Sequence, residues 1–357
     1  MDNRWIRKTL QKAEPYVVPA ISESIVINAN ESPYTIFDFP EVRRDYEKRF
    51  VRFRSCRYPD PYAEELRLAL SGYMGCEPGE ILVGNGGDEI IGLTVNTFIN
   101  PGDTVLTHWP TFDMYGIDAV MIGGREVRVP DEDGFVRNAA AYRRKVEEVQ
   151  PKLTVICNPN NPTGHVWSLA EVESIAAAAK NPLLVDEAYM EFAAADSAVS
   201  LIHKYDNLIV LRTLSKSFGL AGYRIGYAVA NKEMIKALSL MKPAYNVNAM
   251  SQLVGLVAMD NRDKILAYTI PRITAARRYL AEKLRTLPDV AVYDSAANFI
   301  LIRVPDGAAA VNALSAADIA VRSYKTEALK NCLRLTVTTN ETADRIITAL
   351  RKEYSHA

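Results

Sequence analysis

Cysteine is scarce in this chain, and its copies are scattered. Cys56, Cys76, Cys157 and Cys332 are the only four in 357 residues, and no CxxC pair occurs. That spacing offers no zinc-binding or dithiol redox motif, and a chain this long does not need a disulfide frame. Isolated thiols fit a reducing compartment, so the expected location is cytoplasmic. Long apolar runs are missing as well. Nowhere do about eighteen apolar residues follow one another, the length that a bilayer-spanning helix requires. Met1 to Ala20 is polar, carries Arg4, Arg7, Lys8 and Lys12, and has no apolar stretch of the kind a secretory signal contains. Charge of one sign is not in excess: 42 Lys and Arg face 43 Asp and Glu. This balance gives no electrostatic reason to expect nucleic acid or an acidic membrane as partner. Internal repeats and low-complexity tracts are also absent.

What is present is a large apolar fraction, 48%, enough for one large and one small domain. Seven short β-like runs punctuate the first two thirds: Ile81–Val83, Thr104–Leu106, Val127–Val129, Thr154–Ile156, Leu183–Val185, Leu208–Leu211 and Ile225–Ala228. Several are apolar throughout and bounded by turn residues, as strands buried on both faces are. Helical patterns lie between them. Asp88 is placed to cap a helix through Ile90, Ile91 and Val95, and Ser168-Leu169-Ala170-Glu171 fits a capping box. The alternation predicts an α/β layer around a mostly parallel sheet. Beyond about residue 232 a long helical region follows, with Pro243 and Pro271 as kinks or breaks. Strands at Phe299–Ile302 and Cys332–Val337 and a helix from about Thr342 to Tyr354 close the chain. The expected division is a large domain over 41–250 and a small α+β domain over 251–357, joined by an arm from residues 1–40.

Ligands of open α/β sheets lie beyond the carboxyl ends of the strands, so the residues following each strand are the candidates. After Val83 comes Gly84-Asn85-Gly86-Gly87-Asp88-Glu89. It is either a plain tight turn or a phosphate cradle at a helix N-terminus. It is not a dinucleotide fingerprint, since Glu89 stands where the third glycine belongs, and no GK[ST] follows to make a Walker loop. After Cys157 comes Asn158-Pro159-Asn160-Asn161-Pro162-Thr163-Gly164, a loop by composition, in which Asn161 can offer an amide to a ligand. After Val185 comes Asp186-Glu187-Ala188-Tyr189. Asp186 reads either as a helix cap or as a buried carboxylate facing a cation, since an unpaired buried acid costs several kcal/mol to ionise. Tyr189 reads as core or as a hydroxyl in the same pocket. After Leu211 comes the run Arg212 to Gly226, with Lys216 among Ser, Gly and apolar residues. Most lysines are solvated surface groups; a desolvated one attacks carbonyls. Arg224, between glycines, is suited to bidentate phosphate binding.

These segments, in this order, resemble the fold-type I aminotransferases and, within them, the histidinol-phosphate aminotransferase family. The resemblance covers nearly the whole chain: Asn28 to Tyr34, Arg57-Tyr58-Pro59-Asp60-Pro61, Gly84 to Glu89, Asn158 to Gly164, Asp186 to Tyr189, Thr213 to Gly226 and Cys332 to Thr336. It implies a large domain with a mostly parallel seven-stranded sheet flanked by helices, a smaller α+β domain, and pyridoxal 5'-phosphate as cofactor. By the same resemblance Lys216 is the Schiff-base lysine and proton shuttle, and Asp186 keeps the pyridine nitrogen protonated. Tyr189 and Asn161 hydrogen-bond the ring hydroxyl oxygen, and Phe112 stacks on the ring. Gly87 and Asp88 meet the cofactor phosphate through backbone N–H groups, Ser215 through its hydroxyl and Arg224 through its charge. Tyr58 reaches the phosphate of a neighbouring subunit, which implies a homodimer. Arg334 anchors the phosphate of histidinol phosphate or the carboxylate of glutamate. Arg322 is a second arginine at that end or a surface residue on an edge strand, and Asn161 and Tyr34 complete the substrate-binding set. The implied activity is transfer of an amino group from histidinol phosphate to 2-oxoglutarate, in histidine biosynthesis.

Three departures from the family pattern concern the substrate side. Thr35 follows Pro33-Tyr34 where glycine is usual, Val337-Thr338-Thr339 replaces Val-Gly-Thr, and Tyr324-Lys325 stands where a glycine-bearing turn is expected. They leave open a transferase for aromatic or branched-chain donors, or a phospho-amino-acid decarboxylase of the same fold. A catalytically silent pyridoxal-phosphate-binding regulator is the reading from another class, and no DNA-binding appendage supports it. The side-chain positions of Tyr34, Tyr115, Tyr245 and Arg322 decide between donors.

Overall fold

The structure is a computed structural model that describes residues 5–11 and 20–354. Chain order runs β1 (Ile25–Ile27), α1 (Pro40–Phe50), α2 (Glu64–Met74), β2 (Ile81–Asn85), α3 (Gly87–Phe98), β3 (Thr104–Trp109), α4 (Met114–Met121) and β4 (Arg125–Pro130). Next come α5 (Ala139–Val149), β5 (Leu153–Cys157), α6 (Leu169–Ala178), β6 (Leu183–Asp186), β7 (Leu208–Thr213), β8 (Ile225–Ala230), α7 (Lys232–Ser239), α8 (Ala249–Asp260) and α9 (Arg262–Leu284). Last are β9 (Ala291–Val292), β10 (Phe299–Arg303), α10 (Gly307–Ala316), β11 (Ile319–Ser323), β12 (Cys332–Thr336) and α11 (Asn340–Tyr354).

The large sheet has seven strands in the order β2-β8-β7-β6-β5-β3-β4. All seven runs expected from the sequence are in it. Only β8 is antiparallel to its neighbours. The central strands β5, β6, β7 and β8 are buried at every residue, which is why they read as continuous apolar runs; the edge strand β4 is mixed. Alternation assigns their side chains to two faces. Leu183 and Val185 join α1, α2, α5, α6 and α8 in one core, whereas Leu184 joins α3, α4 and α7 in another. The chain progresses outward from β3 to β4, then returns through β5 to β8. The crevice therefore opens at the carboxyl ends of β3 and β5, where strand order reverses.

The small sheet, β1-β11-β12-β10-β9, is antiparallel except for β1, which pairs parallel with β11. Through β1 the N-terminal arm becomes part of it. Its core is built with α9, α10 and α11.

Two local expectations change. Asp88 is not the cap of α3: Gly86, with φ +87°, precedes the helix, and Asp88 lies in its first turn. Glycine takes that φ without strain, and β8 runs close by: a Cβ on Gly226 would lie 2.3 Å from the Gly86 carbonyl carbon. Pro243 falls in the expected break between α7 and α8, and Pro271 does not break α9, which runs through it. Burial of Ile265, Ile273 and Leu280 on either side outweighs the roughly 3 kcal/mol that an interior proline costs. Residue 250 lies inside α8, whose Val254, Val257 and Met259 belong to the large-sheet core; the change of core falls within α9, between Ile265 and Ile273. The Ser168 capping box of α6 is present with both of its hydrogen bonds.

Candidate active site

The carboxyl edge of the large sheet gathers the residues that follow β2, β3, β5, β6 and β7. Because β8 runs the other way, its first residues lie on the same edge and bring Arg224 there. Asp186 ends β6 on the same face as Leu184, towards α4. There the Tyr115 hydroxyl donates to its Oδ2 at 2.6 Å and the Ala188 N–H to its Oδ1 at 3.0 Å. The carboxylate is 5% exposed, and burial pushes its pKa up to about 6 against the pull of the Tyr115 bond. Both donors are neutral, so the site holds a buried acid whose natural complement is a cation. The next residue, Glu187, points to the opposite face and is saturated there. It accepts from Arg212 at 2.7 Å, Ser197 at 2.6 Å and the Ala198 N–H at 2.7 Å. One strand end thus carries two buried acids, one paired with an arginine and one without a cationic partner among the described residues. Asp186 is not a helix cap; its only short-range bond is the turn to Ala188.

Lys216 follows β7 and is half-buried. Its Nζ donates to the Ala29 carbonyl oxygen at 2.8 Å. Burial, then the positive charge of Arg334, lowers its pKa to about 8. That is the condition of a nucleophilic amine. Tyr189 presents its hydroxyl to the same space: the Asn30 amide donates to it at 3.0 Å and the Asn161 amide at 3.4 Å. Asn161 in turn accepts from Arg334 Nη1 at 2.5 Å, and Arg334 Nη2 donates to the Asn28 carbonyl at 2.6 Å. Arg334 is 7% exposed, lies over the Phe299 ring at 5.5 Å, and its Nε has no partner among the described residues.

Arg322 is the Cα partner of Arg334 across β11 and β12. Two arginines directly opposite on one sheet face repel each other, an arrangement that favours a bound anion. Arg322 is therefore no isolated edge residue.

At the other end of the crevice Arg224 Nη2 meets Asp88 Oδ2 at 2.9 Å, beside the N-terminus of α3. The Gly86–Gly87 turn leaves room for this guanidinium: a Cβ on Gly86 would stand 2.6 Å from Nη2. Ser215 is buried, its hydroxyl accepting from Thr213 at 2.9 Å. Backbone N–H groups of a helix start, a hydroxyl and a guanidinium make a phosphate-binding set. Phe112 is half-buried, edge-on to Tyr115 at 5.8 Å. Its loop is tied to the 158–164 loop by Thr111 and Asn160 at 2.8 Å.

Two expected residues stand apart from this group. Tyr58 is 81% exposed and stacks on Tyr245 at 4.7 Å between ring centroids. Tyr34 packs edge-on against Tyr268 of α9, at 5.5 Å, while its backbone carbonyl presses on Gly219. Sequence reasoning gave no role to Asn30 and only a pocket-shaping one to Tyr115. Asn30 lies in a motif segment, but the signal that would single it out is contact with Tyr189, 159 residues away. The segment around Tyr324 turns without glycine. A short 3-10 turn (Glu327–Leu329) and Asn331, with φ +58°, make the connection.

The residues fit pyridoxal phosphate on chemistry alone: a buried carboxylate lacking a cation, a lysine of lowered pKa, a phosphate-type pocket and an aromatic ring beside them. Comparison with known proteins agrees. Residues 24–350 match the family model for aminotransferase class I and II. The chain is 38% identical to a histidinol-phosphate aminotransferase of Thermoanaerobacter sp. (strain X514) over 99% of both chains. It is 37% identical, over 99% of both, to that of Caldanaerobacter subterraneus subsp. tengcongensis. Histidinol-phosphate aminotransferase from Sinorhizobium meliloti, solved with pyridoxal-5'-phosphate, superposes with a TM-score of 0.89 at 25% identity, over 99% of this chain and 98% of the other. This chain belongs to the class I and II aminotransferases and, among them, to the histidinol-phosphate aminotransferase family.

Proposed function

We propose that this protein is a pyridoxal 5'-phosphate-dependent aminotransferase that moves the amino group of histidinol phosphate to 2-oxoglutarate. The observation that carries the substrate class is the opposed pair Arg322 and Arg334, of which Arg334 acts on Lys216 through its charge. Such a pair serves a donor whose far end is a dianionic phosphate, and serves an acceptor through a carboxylate. The curated relatives are histidinol-phosphate aminotransferases over their whole length.

When bound, pyridoxal phosphate supplies a carbonyl to exchange amino groups and a ring that accepts electrons. The remaining tasks fall to this chain. Lys216 holds the cofactor and, once released, takes the proton from the carbon that bears the donor's amino group. Asp186, oriented by Tyr115, would keep a proton on the ring nitrogen of the bound cofactor. Tyr189 and Asn161 hold the ring oxygen in place. Gly87, Asp88, Ser215 and Arg224 bind the cofactor's phosphate, and Phe112 covers the ring. Arg334 and Arg322 orient the substrate's anionic end. Tyr58, exposed and stacked on Tyr245, completes the phosphate pocket of a second copy in a homodimer.

The test is a single-turnover absorbance experiment on the loaded enzyme, adding histidinol phosphate, glutamate, phenylalanine, leucine or threonine phosphate one at a time. Fast change of the cofactor spectrum with histidinol phosphate and glutamate alone is the expected result. Fast change with an aromatic or branched donor instead would move the enzyme to another substrate. Release of carbon dioxide from threonine phosphate would make it a decarboxylase.

A further inference from the structure

Tyr324 follows directly on β11, two residues past Arg322. Its ring packs with Phe135, Leu301, Leu329 and Cys332, which sets the side chain firmly. The Arg322 guanidinium lies 5.6 Å from the ring centroid. The hydroxyl is buried and has no hydrogen-bond partner among the described residues. The charged groups acting on it are Arg334, Arg322 and Asp113. Buried hydroxyls nearly always find a partner, so one left open among two arginines calls for a ligand. Arg334 Nε, at the same end of the site, is likewise buried and open.

We propose that Tyr324 is a further specificity-determining residue, whose phenolic hydroxyl donates a hydrogen bond to the phosphate that Arg322 and Arg334 hold. This rests on the substrate reading above and deepens it. A planar carboxylate has two oxygens, and two guanidinium groups saturate them. A phosphate has a third terminal oxygen out of that plane, and a neutral hydroxyl meets it without adding a like charge to the pair. Tyr324 therefore separates a phosphate-bearing donor from a carboxylate-bearing one.

The experiment compares wild type with Tyr324→Phe, which keeps the packed ring. KM for histidinol phosphate is expected to rise about tenfold or more, the effect of losing one hydrogen bond to a charged group. KM for 2-oxoglutarate and kcat are expected to stay within about twofold, since the bond is made equally in ground and transition states. Inorganic phosphate, used as a competitive inhibitor of the loaded enzyme, is expected to weaken by a similar factor. The melting temperature is expected to be unchanged or raised, because the variant loses an unpartnered buried hydroxyl. A lowered melting temperature, or equal rises in KM for both substrates, would make the hydroxyl structural and overturn the proposal. Inorganic phosphate that inhibits both proteins alike, or fails to inhibit wild type, would also overturn it. If wild type is inert towards histidinol phosphate, the substrate reading fails, and the inhibition ratio still decides the role of Tyr324.

Discussion

At the scale of single residues, the proposed chemistry draws on two groups shifted in opposite directions by burial. Lys216 is lowered to about 8 and Asp186 raised to about 6. Desolvation disfavours the charged form of each, so the amine gives up its proton more readily and the acid keeps it longer. The unprotonated fraction of Lys216 grows as pH rises through 8. Loading of the cofactor-free protein with pyridoxal phosphate should therefore speed up with pH and level off above about 8. A rate still climbing towards pH 10 would show an ordinary lysine. Reduction with borohydride should fix the cofactor to wild type but not to Lys216→Ala, as mass spectrometry would reveal; fixation in that variant would disprove the lysine assignment. Asp186→Asn should retain part of its cofactor affinity, read by fluorescence titration, while turnover falls about a hundredfold or more. Near-normal turnover would remove the acid from the mechanism. The types and spacings of these residues stood out in the sequence. The Tyr115 bond to Asp186 did not, because it joins residues 71 apart, and only packing of α4 against β6 makes it.

At the scale of elements, each strand of the large sheet could be read because a strand buried on both faces has no polar alternation to conceal it. Helix starts were legible where a side chain makes the cap. Ser168 accepts from the Glu171 N–H and Glu171 reaches back, so the motif is local. The start of α3 was read two residues late, because a backbone conformation makes it and not a side chain. Two substitutions separate these cases. Ser168→Ala should lower stability by about 1 kcal/mol in denaturant titration and leave cofactor affinity alone. Gly226→Ala should do more harm, since its Cβ would collide with the backbone at Gly86 and Gly87. The turn proposed to bind the cofactor's phosphate then has to move, so cofactor affinity should fall along with stability. Unchanged cofactor affinity in Gly226→Ala would show that the turn does not hold the phosphate.

At the scale of the molecule, the site is a seam between bodies built from distant segments. Arg334, on the small sheet, bonds Asn161 of a large-sheet loop and Asn28 of the N-terminal arm, while Lys216 reaches the carbonyl of Ala29. Gly164 is pressed against Ser295, with a Cβ position 2.2 Å from its Oγ. The arm is thus part of the seam. The exposed pair Tyr58 and Tyr245 lies outside this seam. Sedimentation of wild type should show a dimer. Tyr58→Ala should weaken cofactor retention on dialysis without opening the Lys216 pocket of the same chain. A monomer with full activity would rule out a shared site.

The sequence by itself determined the class of fold and the cofactor chemistry. Both rest on local signals: apolar runs of strand length, turn residues after them, and a lysine and an acid placed where strands end. Tertiary structure alone decided which groups meet. The register of β11 on β12 sets Arg322 against Arg334, the face that β6 turns to α4 gives Asp186 its tyrosine, and the packing of Tyr324 leaves a buried hydroxyl open beside two arginines. The physical reason is the range of the forces involved. Propensity and capping act over a few residues, whereas desolvation and charge act through space between segments far apart in the chain.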